Sequence, residues 1–239
     1  MALNIQAVDD KKVTRSKRGA EARAKIKRAA ACVLEDMGYH KMRIADVTKE
    51  AGIAAGLFYH YFPDLKTLTI EVLGDFIAQS QDQSAIEKDV AKGDWFGRML
   101  AYYQVVVEGY ARHPGLTRCL LQVADEDKAF AELLRQNWVE QLRWLVKVMP
   151  KLFPNAELDD HQSLMLIYAL GGNADLILRH YFIDGDTALT AKQLNTEEVA
   201  ELLAFVFYRG LFLQNPPLEQ LNYTRNLLPM VKQTDAANT

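Results

Sequence analysis

The side chains that could bind an anion are concentrated near the N-terminus of this sequence. Residues 1–67 contain 13 lysines and arginines and 8 acidic residues, a formal charge of +5, whereas the rest of the chain carries −8 and the whole chain −3. A basic segment joined to an acidic body is typical of a protein whose first part contacts a polyanion such as nucleic acid. A merely solvated surface would have the same charges, so charge alone leaves both interpretations open.

The residue types needed for catalysis or metal binding are scattered. The five histidines are His40, His60, His113, His161 and His180, and none has the spacing of a His/Glu metal site. Cys32 and Cys119 form no disulfide framework or metal motif, which fits a reducing cytoplasm. We therefore expect no metal, no cofactor and no enzymatic activity, and a helical enzyme is the least favoured alternative. No stretch approaches the ~20 uncharged apolar residues of a membrane helix, so we expect no membrane partner.

The segment from Arg43 to Phe62 has the spacing of two short helices joined by a tight turn. Val47 is apolar, and Gly52 follows where a turn needs a residue that can adopt positive φ. The second helix could lie in a DNA major groove while the first crosses the backbone. An ordinary helical hairpin has the same spacing. We interpret the aromatic residues of the second helix, Phe58, Tyr61 and Phe62, as packing residues of a small core.

Apolar residues recur at three- and four-residue steps through most of the chain, and no segment alternates as a strand would. We therefore predict an all-α fold of about nine helices. They span residues 19–37, two segments within 43–62, and 65–83, 94–112, 116–125, 129–151, 160–182 and 196–214. Residues 1–18 are polar and basic and are predicted to form a flexible arm. Pro150 and Pro154 are expected to bound the end of the helix over 129–151.

About the first 75 residues resemble the TetR family of transcriptional regulators. The match lies in residues 47–53 (VTKEAGI), Gly56, residues 59–62 (YHYF) and Leu68. The resemblance implies a homodimer with an N-terminal three-helix DNA-binding head and a larger helical domain that binds a small molecule and forms the dimer. The implied domains are a basic arm over 1–18, a helix-turn-helix domain over 19–64 and an effector-binding and dimerisation domain over 65–239.

The resemblance also identifies candidate DNA contacts. It puts the reading helix at Ala54–Phe62 and equates Tyr59 and His60 with the family's pair of backbone contacts. The predicted set is Arg43, Ala54, Ala55, Gly56, Leu57, Tyr59, His60 and Lys66.

Three positions depart from the family's pattern. Arg43 stands where the family favours Thr or Ser, Ala54 where it favours Ser, and Leu65 where it favours Lys. We expect Arg43 to pair with a phosphate and Lys66 to replace the missing lysine. Because residues 54–57 have no side-chain donors, we expect contacts with thymine methyl groups and DNA shape to set the sequence preference.

A sensing domain needs a mainly apolar cavity with a few polar groups. The candidates in apolar sequence are Tyr103, Gln104, Arg118, Gln122, Trp138, Tyr168 and Asn173. Their surroundings favour a hydrophobic or aromatic effector. Gly171 and Gly172 lie inside a predicted helix, where each costs about 1 kcal/mol relative to alanine. Close packing at a dimer seam and contact with a ligand could each offset that cost.

The two C-terminal helices, 160–182 and 196–214, are expected to form a four-helix interface between two subunits, as the family does. The candidate interface residues are Asp175, Arg179, Phe205, Tyr208 and Phe212. The three aromatic residues are more than one buried face needs, which favours a partner surface. Asp175 and Arg179 are four residues apart and could pair on one face.

These features together predict a cytoplasmic, homodimeric, ligand-responsive transcriptional regulator. We expect a repressor that a small effector releases from a near-palindromic double-stranded DNA operator. A DNA-associated helical adaptor without an effector is the alternative. A solid core in the body would favour the adaptor, and a cavity would favour the regulator.

Overall fold

The computed structural model describes residues 6–79 and 90–230, and describes side chains over 17–78 and 90–230. Within these ranges the chain is helical and has no strand, so the all-α prediction is confirmed. The helices are α1 (Gln6–Met37), α2 (Ile44–Ala51), α3 (Ala55–Tyr61), α4 (Leu65–Gln79), α5 (Trp95–Arg112), α6 (Pro114–Glu126), α7 (Lys128–Leu152), α8 (Asp160–Leu178), α9 (Thr187–Thr190) and α10 (Thr196–Phe212). None of the described helices is both long enough and apolar enough to cross a membrane.

The first helix begins earlier than the sequence suggested. α1 starts at Gln6, whereas the sequence predicted a helix from residue 19, and residues 1–5 lie outside the described ranges. The flexible arm expected over residues 1–18 stays a prediction. Residues 6–18 contain no proline or glycine and are rich in lysine and arginine, which are good helix formers. Extending an existing helix is far less costly than nucleating one, so no apolar face is needed.

Pro150 lies inside α7 rather than at its boundary. The missing amide of proline removes a single hydrogen bond, and the Phe153 N–H still donates to the Met149 carbonyl at 2.9 Å. A proline in the last turn of α7 therefore does not break the helix.

The predicted helix over 160–182 changes its winding before it ends. α8 runs to Leu178 and continues as a π-helical turn over Arg179–Asp184, which Gly185 closes with φ 64°. The Arg179 Nε lies 3.6 Å from an Asp184 carboxylate oxygen. Arg179 therefore pairs with Asp184 through the turn, whereas the sequence suggested Asp175.

The chain forms two compact units. The first consists of the described residues up to Gln79 together with Gly115–Leu134, and the second contains 90–114 and 135–230. α7 begins in the first unit and continues into the second. The functional boundary predicted after residue 64 remains a prediction. In packing terms, α4, most of α6 and the start of α7 belong with the helix-turn-helix segment.

The core of the first unit joins the helix-turn-helix segment to α1, α4 and α6. Ile26, Val33, Val47 and Phe58 are buried in this one core. Residues of α6 and of the start of α7 complete it: Leu116, Cys119, Val123, Phe130 and Leu134. The head therefore depends on helices that follow it far along the chain.

A carboxylate of α1 caps the first turn of α6. The Glu35 side chain accepts hydrogen bonds from the N–H groups of Gly115 at 2.8 Å and Leu116 at 2.9 Å. A Cβ at position 115 would lie 2.0 Å from the Glu35 carbonyl oxygen, so only glycine allows this approach. The negative charge also suits a helix N-terminus.

α10 lies at the centre of the second unit. Phe96 and Tyr103 of α5 make edge-on contacts with Tyr208 and Phe207, with ring centroids 5.8 and 6.2 Å apart. A Cβ on Gly210 would lie 2.5 Å from a methyl group of Leu170, so α8 approaches α10 closely.

A buried glutamate of α10 holds the C-terminal segment of the described chain. The Glu201 carboxylate accepts hydrogen bonds from the N–H groups of Asn222 (2.9 Å), Tyr223 (2.8 Å) and Thr224 (2.8 Å), and from the Thr224 hydroxyl (2.8 Å). Burial raises the pKa of Glu201, but these hydrogen bonds together outweigh burial, and its pKa lies below the usual value.

Replacing Glu201 with Gln is expected to lower the free energy of unfolding by about 2 kcal/mol at neutral pH. The NH2 group of the glutamine amide would face N–H groups that need an acceptor. The folded pKa of Glu201 lies below the unfolded value, so its contribution is present above about pH 4.3 and is lost as pH falls through the folded pKa. Urea unfolding over a pH series should therefore show the gap between wild type and Glu201→Gln narrowing below about pH 4.

Glu219→Gln is the matched control for this measurement, because Glu219 is exposed in the same segment. It should unfold as the wild type does. A gap between wild type and Glu201→Gln that stays constant down to low pH would contradict the assignment of this carboxylate.

Candidate nucleic-acid interface

The turn between α2 and α3 is built around Gly52. Its φ and ψ are 58° and 45°, the left-handed conformation that favours glycine. The Gly52 N–H donates to the Lys49 carbonyl at 3.1 Å, and the Ile53 N–H donates to the Thr48 carbonyl at 3.0 Å. These bonds satisfy the last carbonyls of α2 and direct the chain into α3.

Two aromatic side chains anchor α3 in the core of the first unit. Phe58 and Phe62 are fully buried, with ring centroids 6.1 Å apart, and Tyr61 packs half-buried beside them. Their predicted role as core residues is confirmed. Because Phe58 and Phe62 point inward, the opposite face of α3 is left to solvent.

That outward face carries six of the predicted DNA contacts. Ala54, Ala55, Gly56, Leu57, Tyr59 and His60 are all exposed. Leu57 is 38% exposed and Tyr59 60%, and the edge-on contact of the Tyr59 ring with Phe58 leaves its hydroxyl free to face solvent. The first turn of α3 therefore presents a small apolar surface, followed by a phenol and an imidazole that can donate hydrogen bonds.

Arg43 is the N-cap of α2 and supplies only half of a capping box. Its N–H donates to the Asp46 carboxylate at 2.9 Å, but a guanidinium has no acceptor to offer in return. The side chain instead donates to the carbonyls of His40 (3.0 Å) and Met42 (3.1 Å) and remains exposed. A cation thus occupies a position where a hydroxyl would cap the helix better.

Lys66, in the first turn of α4, is exposed but forms an ion pair. Its Nζ lies 2.7 Å from an Asp127 carboxylate oxygen. The hydrogen bond to Asp127 raises the pKa of Lys66, and the same bond is the first cause of the lowered pKa of Asp127. Nothing in the sequence around Lys66 indicates this partner.

Two basic residues of α1 hold α4 in place. Arg23 binds the Glu71 carboxylate and stacks over the Phe62 ring, 4.8 Å from its centroid. Lys27 pairs with Asp75 and lies 3.8 Å from Glu71. Part of the positive charge of the head is therefore committed to internal ion pairs.

The predicted effector residues fall in both units. Tyr103, Gln104, Trp138, Tyr168 and Asn173 belong to the second unit, and Arg118 and Gln122 to the first. Tyr103 is buried, Trp138 and Tyr168 are each 38% exposed, and Gln104, Arg118 and Asn173 are exposed. The Gln122 side-chain oxygen is buried without a hydrogen-bond partner.

A polar group missed in that set lies among tyrosines of α5. Burial raises the pKa of Tyr102 to about 12, and the Asp175 carboxylate adds to the increase. Asp175 acts in the same direction on Tyr103 and Tyr110, whose pKa values burial also raises. Neighbouring protein atoms exclude part of the water around the Asp175 carboxylate and raise its pKa, although the residue as a whole is exposed. Asp175 is therefore a candidate polar group of the second unit.

The predicted dimer residues divide into exposed and buried members. Asp175 and Arg179 are exposed and Phe212 is partly buried, whereas Phe205 and Tyr208 are buried within the chain and have little surface left for a partner. The exposed apolar side chains of the same two helices are Met165, Leu166, Tyr168 and Leu176 on α8 and Val206 on α10. Gly171 makes ordinary contact with Phe207, and Gly172 has open space beside it, so both explanations of the glycine pair stay open.

No group of three or more His, Cys, Asp or Glu side chains close enough to hold a metal ion occurs among the described residues. Both cysteines are free thiols. Cys32 is exposed, and burial raises the pKa of Cys119 to about 11, where its thiol points to the Leu34 carbonyl at 3.6 Å.

Part of this chain is similar in sequence to known proteins. Residues 26–72 match the family described as bacterial regulatory proteins, tetR family. The HTH-type transcriptional regulator CymR of Pseudomonas putida is 31% identical over 144 residues, which cover 58% of this chain and 68% of CymR. The HTH-type transcriptional repressor NemR of Escherichia coli (strain K12) is 23% identical over 149 residues, which cover 58% of this chain and 74% of NemR.

Solved structures share the fold at lower identity. A tetR-family transcriptional regulator from Streptomyces coelicolor superposes with a TM-score of 0.60 at 17% identity. The superposition covers 81% of this chain and 82% of that structure.

Replacing Arg43 with Ser should have two effects: a higher free energy of unfolding and weaker DNA binding. The serine hydroxyl completes the capping box with Asp46, which is worth about 1 kcal/mol in the free energy of unfolding. Loss of the cation should reduce the slope of log K against log[salt] by about 0.9. Urea unfolding and fluorescence anisotropy with a DNA duplex measure the two effects.

Arg43→Ala is the matched variant, because alanine removes the cation without supplying a cap. It should lose DNA affinity as Arg43→Ser does but gain no stability. Equal stability of the two variants would refute the capping argument, and unchanged DNA binding in both would remove Arg43 from the interface.

Proposed function

The chain belongs to the TetR family of bacterial regulatory proteins, and on that premise we propose that it is a ligand-responsive DNA-binding transcriptional regulator. We infer further that it acts as a repressor, which a small molecule releases from its operator. The observation that carries the proposal is the outward face of α3, whose exposed side chains are held away from the core by Phe58 and Phe62. Such a function requires access to DNA and hence a cytoplasmic location.

The chemistry of the α3 surface supports DNA as the partner. Tyr59 and His60 can donate to phosphate oxygens, and such contacts fix the orientation of a protein on the duplex. Ala55 and Leu57 offer methyl groups to the major groove, where thymine alone presents a methyl group. The proposed division of roles is therefore backbone contact by Tyr59, His60, Arg43 and Lys66, and base contact by the first turn of α3.

The names of the relatives support regulation, and one of them supports repression. NemR is named a transcriptional repressor, and CymR a transcriptional regulator. The direction of regulation is carried over to this chain as a proposal.

We propose that the chain forms a homodimer through α8 and α10. Leu176 is 57% exposed and Val206 50%, and Met165 and Leu166 extend the apolar surface along α8. A twofold axis through this surface would present two copies of α3 to one duplex, which requires a near-palindromic site. Asp175 and Arg179 would then lie at or beside the interface.

We propose that the effector binds in the second unit, in contact with α5 and α8. Tyr103, Tyr168 and Asn173 are retained from the candidate set, and Asp175 joins them as a carboxylate near three tyrosines. Aromatic walls with few polar groups fit a hydrophobic or aromatic effector that has at least one hydrogen-bond donor. Release then requires that the effector bind the DNA-free state more tightly than the DNA-bound state.

The triple replacement of Arg43, Tyr59 and His60 with Ala tests DNA binding. We expect a loss of about 100-fold or more in affinity for a duplex from the chain's own promoter region, because three contacts of roughly 1 kcal/mol each disappear. Fluorescence anisotropy at fixed salt measures the affinity, and light scattering checks that the dimer is intact.

Lys147→Ala with Lys151→Ala is the control, because it removes two exposed cations of α7 in the second unit. The control should bind DNA as the wild type does. Equal loss in both variants would show a non-specific charge effect, and no loss in the triple variant would remove α3 from the interface.

A panel of aromatic acids and lipids tests the sensing role. At least one compound should release the labelled operator, and Tyr168→Ala and Asn173→Ala should each raise the concentration required by about tenfold, the effect of losing roughly 1.4 kcal/mol of contact. Their DNA affinity without the compound should match the wild type.

Leu218→Ala provides a control for an exposed apolar side chain elsewhere in the second unit. Its response to the compound should be unchanged. If no compound releases the operator while DNA binding is intact, the adaptor interpretation is favoured over the sensor.

A further inference from the structure

An acidic residue at the junction of α6 and α7 pairs with a lysine that is proposed to contact a DNA phosphate. The Asp127 carboxylate lies 2.7 Å from the Lys66 Nζ. The Lys66 side chain is 57% exposed and that of Asp127 only 16%, so the lysine is the free-moving partner and the carboxylate the fixed one. Both residues belong to the first unit.

Asp127 is fixed because it also caps α7. Its other carboxylate oxygen accepts the Phe130 N–H at 2.9 Å, and its carbonyl accepts the Ala131 N–H at 2.9 Å. One carboxylate thus begins a helix and binds Lys66 at the same time. The cap is the geometry that Asp, Asn and Ser all support well.

A second pair repeats the arrangement one residue earlier. The Glu126 carboxylate lies 3.3 Å from the His40 Nε2. The His40 ring contacts the Tyr39 ring at a tilt of 54°, with ring centroids 5.2 Å apart. Burial and the neighbouring Glu126 raise the pKa of Tyr39. The junction therefore sets two adjacent carboxylates against basic side chains of the head.

We propose that Asp127 competes with a DNA phosphate for Lys66 and thereby holds down the DNA affinity of the head. The proposal rests on the proposed function, because it assigns Lys66 to the DNA backbone. A lysine whose charge a carboxylate already balances releases fewer counterions on binding, and Asp127 itself repels an approaching phosphate. An exposed ion pair is weak, so DNA can displace it.

The same residue links the contact to the sensing unit through the chain. Asp127 begins α7, which continues to Leu152 and carries Trp138. A displacement of the first turn of α7 would move the carboxylate relative to Lys66. Asp127 is therefore a positioning residue for the DNA contact, and α7 a route by which its position can change.

Asp127→Asn in the full-length chain tests the proposal. The amide oxygen keeps the cap of α7, while the negative charge is lost. Binding to a duplex selected from a randomised pool is measured by anisotropy from 50 to 200 mM salt. We expect tighter binding at low salt and a slope of log K against log[salt] that is steeper by about 0.9, so affinity should fall roughly threefold more than in the wild type over this range.

Three further variants make the result specific. Asp125→Asn removes an equal charge from the same helix end and should leave the slope unchanged, because Asp125 is exposed and two residues away. In a Lys66→Ala background, Asp127→Asn should have no effect on the slope. Asp127→Ser supplies a second capping variant if the asparagine variant is unstable, as judged by thermal unfolding.

The possible outcomes separate this proposal from the proposed function. If no sequence is enriched from the pool, the proposed function fails. If DNA is bound but Asp127→Asn binds it equally or more weakly, or gains the same amount without Lys66, the competition is refuted. Unchanged binding of Lys66→Ala at every salt concentration would refute it as well.

Discussion

α3 is too short to be a stable helix by itself. It has seven residues, Ala55–Tyr61, whereas isolated helices below about 12 residues are marginal in water. Its existence therefore depends on the left-handed turn at Gly52 and on the burial of Phe58 and Phe62 in the core of the first unit. The same core contains residues of α4, α6 and the start of α7, so the support of α3 includes helices that follow it far along the chain.

Carboxylates that bind backbone N–H groups recur at several points of the chain. Glu35 caps α6, Asp127 caps α7, and Glu201 holds the segment at Asn222–Thr224. Each fixes a segment that is distant in sequence or starts a helix, and each places a negative charge at free donors. Exposed cations of the head can pair with nearby carboxylates. Their availability to DNA therefore depends on which carboxylates lie beside them.

Local chemistry made part of the structure predictable. Gly38 and Gly52 end their helices, and Phe62 precedes Pro63 at the end of α3, because glycine and proline act on the backbone where they stand. The aromatic residues at 58 and 62 were predictable as core because helical spacing puts Phe58 and Phe62 on one face. The opposite face of α3 could then be predicted to be exposed.

Contacts between distant residues were not predictable from one sequence. Nothing near Lys66 points to Asp127, and nothing near Glu35 points to Gly115. The apolar character of α10 suggested a partner subunit, but neighbouring helices of the same chain bury Phe205 and Tyr208. Apolarity on several faces indicates several neighbours without saying which chain provides them.

We propose that two copies of the outward face of α3 bind DNA as a symmetric pair. Selection from a randomised duplex pool, followed by hydroxyl-radical footprinting on the enriched sequence, measures this arrangement. We expect a near-palindromic site with two protected patches whose centres lie about one helical turn or more apart. Failure to enrich any sequence, or a single patch without symmetry, would contradict it.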